Sequence, residues 1–211
     1  MTSFPITSIT GMTRDDGRPT DDFYETPPQA TAALLAVEKF TPKIWEPACG
    51  RGAISKELKR LGFDVISTDL YDHGYGEPDH DFLVTDYGVR AGTTSIITNP
   101  PFSLALEFAQ RGVEFINQTD GKMALLARLQ WLESIRRKGF FESSPLSAVW
   151  IFSRRLPMMH RPDYDGDPVS SLMAFAWFLW TCGHIGPPRL GWLDWKDHYE
   201  VPLDNLPLFQ T

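Results

Sequence analysis

Apolar positions along the chain fall into short blocks that switch between a helical and an extended period. Residues 26–39 open with Thr26, Pro27 and Pro28 and then repeat Ala and Leu at helical spacing. Proline suits the first turn of a helix, where its missing N–H is not needed. Residues 43–48 and 64–68 read as strands, with a helix over 53–61 between them that Gly62 stops. A loop over 71–80 holds Gly74, Gly76 and Pro78, and a short strand is expected near 82–84. Residues 95–98 form a β-branched strand, 104–116 a helix and 123–127 a further strand. Segments 146–152 and 172–180 are apolar and aromatic, which predicts an antiparallel pair across the polar loop 153–170. The tail after Gly183, with Pro187, Pro188 and Trp192, is expected to lie over the sheet edge. Strands alternating with helices predict an α/β fold on a mostly parallel, twisted sheet with a C-terminal hairpin. Residues 1–22 are polar and rich in Thr and predict a flexible arm, while 23–211 contain no linker and predict one domain.

Composition narrows the class. Of 211 residues, 42% are hydrophobic and 22% charged, which excludes a disordered chain. The longest apolar run, 172–180, falls well short of the roughly 20 residues a membrane helix needs. No secretory leader is evident, so a cytoplasmic location is expected. Cys49 and Cys182 stand too far apart for a disulfide framework, and no Cys/His group has zinc spacing, so no metal is expected. The net charge of -7 argues against a uniformly basic coat. Yet residues 122–161 carry eight Lys or Arg against two Glu, one basic stretch in an acidic chain.

Two elements carry candidate chemistry. The first is Glu46-Pro47-Ala48-Cys49-Gly50-Arg51-Gly52-Ala53, between a strand and a helix. Gly50 and Gly52 let the backbone turn sharply, and the helix start offers unpaired amides. Asp69 ends the next strand about 20 residues on, where such folds bind ribose hydroxyls. Ser55 stands where a dinucleotide fingerprint would need a third glycine. A bare G-x-G also fits an ordinary tight turn, and it is Glu46 and Asp69 that favour a nucleoside cofactor. Cys49, inside the turn, acts as a small apolar residue and needs no redox role.

The second element is Asn99-Pro100-Pro101-Phe102, directly after the apolar strand Ser95–Thr98. Two prolines fix φ and remove two backbone donors, so the strand ends in a stiff, extended turn. The Asn99 side-chain oxygen and the Pro100 carbonyl are then two acceptors that can bind both hydrogens of one planar amino group. Drawing that nitrogen toward a tetrahedral geometry frees its lone pair, and the acceptors stabilise the positive charge that develops on it. Phe102 supplies a ring on which an extruded base can stack.

With these residues the chain resembles the amino-methyltransferases that use S-adenosylmethionine, most closely the DNA adenine-N6 group. The resemblance runs from about residue 23 to 182. It implies a class I methyltransferase, Rossmann-like fold with a final antiparallel hairpin. It implies that Glu46, Ala48, Gly50, Gly52, Asp69 and Leu70 hold the cofactor. Asp81 and Phe82 resemble the pair beside the adenine ring, with Asp86-Tyr87 a competitor for that role. Tyr24, Thr26 and Pro27 resemble the motif at the methionine end, where Asn99 also contributes. Asn99, Pro100, Pro101 and Phe102 match the catalytic motif. The implied reaction is direct methyl transfer to the N6 amino group of adenine in DNA.

Only 48 residues separate Gly50 from Asn99 and about 30 follow the hairpin, so no separate large target-recognition domain is expected. A small enzyme of this kind would suit a phage or mobile element. Within the basic stretch, Arg128, Arg136, Arg137, Arg154, Arg155 and Arg161 are candidate phosphate contacts and Trp131 a candidate stacking residue. Trp131, Phe140 and Phe141 equally fit a core. Asp163, Asp165 and Asp167 lie in a loop that reads as a substrate flap rather than a cation site. RNA adenine, cytosine N4 and protein glutamine remain alternative acceptors, and a non-catalytic partner subunit the alternative to an enzyme.

Overall fold

The computed structural model describes residues 25–84, 92–157 and 173–198. In chain order the elements are α1 (Pro28–Val37), β1 (Lys43–Glu46), α2 (Ala53–Arg60), β2 (Asp64–Ser67), β3 (Ser95–Thr98), α3 (Ala105–Thr119) and β4 (Lys122–Arg128). There follow α4 (Ile135–Ser143), β5 (Leu146–Phe152), β6 (Phe175–Thr181) and β7 (Arg189–Leu193). The strands form one sheet in the order β2-β1-β3-β4-β6-β5-β7. The neighbours among β1 to β4 are parallel, while β6 runs antiparallel to both β4 and β5. The antiparallel pair read from the sequence is therefore present, as is the mostly parallel α/β sheet. No helix among the described residues is long and apolar enough to cross a membrane.

The central strands are apolar through their interior positions, with polar residues at their ends, because the sheet is buried on both faces. On β4, Ala124 and Leu126 join one core with Leu34 of α1 and Ile54 and Leu58 of α2. Met123, Leu125 and Ala127, at the alternate positions, join the other core with Phe108, Phe115 and Ile116 of α3. Strand β6 divides in the same way, Trp177 to one side and Phe178 and Trp180 to the other.

Local chemistry sets the helix ends. Pro28 occupies the first turn of α1. The Gly62 N–H bonds back to Lys59 O and the Phe63 N–H to Leu58 O, closing α2 in the glycine-ended pattern its sequence predicts. Glu38, at the C-terminal end of α1, is 6% exposed and gathers three strands. Its carboxylate accepts hydrogen bonds from Lys122 Nζ (3.2 Å), Trp150 Nε1 (3.0 Å) and an Arg189 guanidinium nitrogen (2.6 Å).

Three expectations are corrected. Residues 82–84 form a turn and not a strand. The Asp81 Oδ1 accepts the Leu83 N–H at 2.9 Å, and Phe82 is drawn into the core against Trp45 and Phe108. Without that expected strand, Arg128 closes the fourth strand of the chain. The tail does not lie over the sheet edge but extends it, since β7 pairs parallel with β5. Trp192, read as edge cover, is 64% exposed. The arm 1–22 and the flap around Asp163, Asp165 and Asp167 lie outside the described residues.

Candidate active site

The parallel strands end together at one edge, and the loops that leave them there build a cavity of about 360 Å³. That is within the range of small-ligand sites. The glycine turn forms one wall. Gly52 sits at φ +80° and its N–H bonds to Cys49 O at 2.7 Å. A Cβ there would fall 2.4 Å from the Tyr75 ring, so both backbone and space demand glycine. The Gly50 N–H donates to Asp69 Oδ2 at 2.8 Å, tying the turn to the end of β2. Asp69 Oδ1 accepts the Tyr71 N–H at 3.0 Å. A carboxylate accepts about four hydrogen bonds, so both oxygens keep capacity for hydroxyl donors of a ligand.

Glu46 forms the floor, 1% exposed. Ser55 Oγ donates to its Oε2, and Ser67 Oγ lies 2.6 Å from Ser55 Oγ. Ser55 at the third fingerprint position thus serves as the partner of this buried carboxyl. Burial pushes Glu46 up to about 8, with Asp69 adding to the rise and Ser55 and Lys59 opposing it. Burial, with Glu46 and Asp69 close by, pushes the Cys49 thiol up to about 12, which removes it as a nucleophile.

The raised Glu46 value predicts a pH signature. Between its ordinary 4.5 and about 8 the unfolded chain ionises this group while the folded chain holds the proton. Stability conferred by the protonated form is present at low pH and is lost as pH rises through this window, at up to about 1.4 kcal/mol per pH unit. Glu46→Gln is expected to flatten that slope in urea unfolding measured from pH 5 to 8. An unchanged slope would locate the effect elsewhere.

Asn99 and Pro101 line the opposite wall with Ser103 and Leu104. Asn99 Nδ2 donates to Thr26 Oγ1 at 3.1 Å, joining the double-proline turn to the segment before α1. With the amide nitrogen so engaged, Oδ1 is the end that can accept from an amino group. Glu25, Ala48, Asp81 and Phe82 also line the cavity. Besides the protonated Glu46, the lining carries Glu25, Asp69 and Asp81 against Arg51, together with His73 and His80. The cavity is an acidic cleft suited to a ligand with positive charge. Leu70 and Tyr71 line it while 44% and 60% exposed, apolar surface that a bound ring system would cover. Tyr71 and Leu104 were not foreseen. The aromatic directly after Asp69-Leu70 is the signal that could have found the first.

Not every predicted residue meets this cavity. Pro27, Gly52, Pro100 and Phe102 are not among its lining, and Tyr24, Asp86 and Tyr87 lie outside the described residues. Phe102 packs instead on Phe175, ring centres 5.8 Å apart, with the Arg128 guanidinium 4.3 Å above its ring.

The candidate substrate residues separate into two groups. Trp131 is 7% exposed and meets Phe141, Phe178 and Trp180 edge to face, so it is core and not a base platform. Arg137 donates to the Trp131 carbonyl at 2.7 Å and the Glu133 carbonyl at 3.2 Å, which commits its guanidinium to fastening α4. Arg154 pairs with Asp194 at 2.5 Å. Arg136 and Arg155 are exposed, and Arg161 lies outside the described residues. Because β5 runs in the direction of β4, Arg154 and Arg155 leave the sheet at the same edge as Arg128.

The architecture is that of class I methyltransferases. The structure matches the M protein of the EcoKI type I restriction enzyme with TM-score 0.54 at 15% identity, over 79% of this chain and 45% of that one. It matches a protein of Listeria monocytogenes assigned to the class I S-adenosylmethionine-dependent methyltransferases with TM-score 0.52 at 11% identity, over 78% and 62%. A protein of Pyrococcus horikoshii assigned as an RNA methyltransferase gives TM-score 0.55 at 11% identity, over 80% and 91%. The chain thus spans less than two thirds of the first two. At such identities the likeness establishes the fold and no more. No family model and no curated protein matches the sequence.

Proposed function

We propose that this protein is an S-adenosylmethionine-dependent methyltransferase acting on the N6 amino group of adenine in DNA. The observation that carries this reading is the Asn99-Pro100-Pro101-Phe102 turn, anchored through Asn99 Nδ2 to Thr26 at the wall of an acidic cleft. The donor set fits the cofactor. Asp69 has acceptor capacity for ribose hydroxyls, Leu70 and Tyr71 offer apolar cover for a purine, and the acidic lining suits a ligand bearing a sulfonium and an ammonium group. When bound, S-adenosylmethionine supplies the methyl group, with a neutral thioether as the leaving group.

The chain's own part is to bind and orient the amine. Asn99 Oδ1 and the Pro100 carbonyl accept its two hydrogens and draw its lone pair out of conjugation with the ring. Both acceptors strengthen as positive charge develops on nitrogen, and the surplus proton then passes to water. Arg128, Arg136 and Arg155 are the candidate phosphate contacts at this edge of the sheet.

The decisive assay is transfer from labelled S-adenosylmethionine to unmethylated DNA and to RNA of matched sequence, followed by nucleoside digestion and mass spectrometry. N6-methyladenine from DNA is the expected product. Label confined to RNA, to cytosine or to protein would replace the acceptor, and no transfer with cofactor bound would leave a binding subunit.

A further inference from the structure

We infer that Arg128 is a substrate-displaced gate, its guanidinium holding the Phe102 ring face that the target base must take and passing to a nucleotide phosphate when the base enters. The inference rests on the reading of Asn99 to Phe102 as the amino-acceptor site.

Phe102 was expected to be an open platform. Phe175 and Arg128 both lie against its ring. Phe175 packs against it at 5.8 Å, and Phe175 is also the cross-strand partner of Arg128 on the sheet. The ring therefore rests on the core, and the Arg128 guanidinium lies over it at 4.3 Å. A base stacks at about the same height as that guanidinium, so the two cannot share the face. The double proline holds Asn99 and Phe102 in one stiff turn, so an amine placed on Asn99 brings its own ring to Phe102.

Arg128 is poorly satisfied where it lies. Its Nε is buried and donates to no acceptor among the described residues. A buried cationic N–H without an acceptor is unfavourable, and the ring face compensates only in part. Arginine's planar fork is matched to phosphate oxygens, which would supply the missing acceptors. Entry of a nucleotide exchanges a cation over Phe102 for a base over Phe102, and gives the guanidinium charge-assisted hydrogen bonds. A nucleoside displaces the same cation and offers it nothing. The site then selects nucleotides over nucleosides through Arg128.

The test compares 2′-deoxyadenosine and 2′-deoxyadenosine 5′-monophosphate by NMR titration of the full chain, wild type and Arg128→Ala. Wild type is expected to prefer the monophosphate. Arg128→Ala is expected to bind the nucleoside about 3-fold tighter, because the ring is uncovered. It is expected to bind the monophosphate about 10-fold more weakly, because a charged hydrogen-bond donor is lost. Arg128→Lys keeps the charge and should keep the preference for phosphate with a smaller gain for the nucleoside. It also supplies the comparison if the alanine variant does not fold. Shifts of one sign for both ligands, or none for either, would overturn the gate, and the reading would still stand where wild type makes N6-methyladenine in DNA. If wild type binds neither compound and methylates no nucleic acid, the reading falls and the gate with it.

Discussion

Asn99→Ala is expected to lower methyl transfer by about 10²–10³-fold while leaving cofactor affinity within a few-fold of wild type. The reason is the asymmetry of this side chain. Its nitrogen is spent on Thr26 Oγ1, and its oxygen is the acceptor that matters only once charge grows on the attacking amine. The effect should therefore fall on kcat and not on KM for S-adenosylmethionine. Asn99→Asp retains an acceptor and should keep measurable turnover, above the alanine variant. Single-turnover assays with isothermal titration of the cofactor separate the two quantities. Near-normal turnover in Asn99→Ala would place the chemistry elsewhere.

Trp131→Ala is expected to destabilise the fold by about 3–5 kcal/mol, the range for losing a large buried aromatic. The indole touches Phe141, Phe178 and Trp180, and the small side chain would leave a hole that α4 cannot fill. The urea midpoint should fall accordingly, with DNA affinity of the folded fraction unchanged. A stable variant that loses DNA would return Trp131 to the substrate surface.

That residue shows where sequence reading ran short. An aromatic between arginines has the composition of a nucleic-acid surface, and composition does not say which way a ring faces. Helix α4, which covers Trp131, was not recognised at all. No side chain on it is fully buried, Gly139 interrupts it, and Ile135 is 87% exposed, so it has no clear apolar stripe. Strand β7 escaped for a related reason. Gly191 at its centre reads as a breaker, yet a Cβ there would fall 2.1 Å from the Trp150 ring, so glycine is what lets the strand approach β5. By contrast, the glycine turn, Asp69 and Asn99 stand out in the sequence because residue type marks each one locally (glycines at positive φ, an acid closing a strand, an asparagine before two prolines), although their contacts join distant segments. The position of Arg128 over Phe102 depends on register between distant strands, and nothing in the local pattern encodes it.

The Glu38 carboxylate has a consequence for the way this chain is made. Its partners lie 84, 112 and 151 residues downstream, and the Trp177 indole that bonds to Ala30 O lies 147 residues downstream. A ribosome that has released only the first 145 residues has supplied Lys122 and neither Trp150 nor Arg189. The first helix therefore waits, packed on α2 but with its carboxylate short of two partners and part of its apolar face uncovered, until the last strands emerge. Long-range closure of this kind slows folding and lengthens the exposure of unpaired strands. Nascent chains stalled before β6 should stay bound to chaperones and sensitive to protease. The cavity, whose lining residues all lie between Glu25 and Phe108, is then complete in sequence while the sheet that carries it still lacks three of its seven strands.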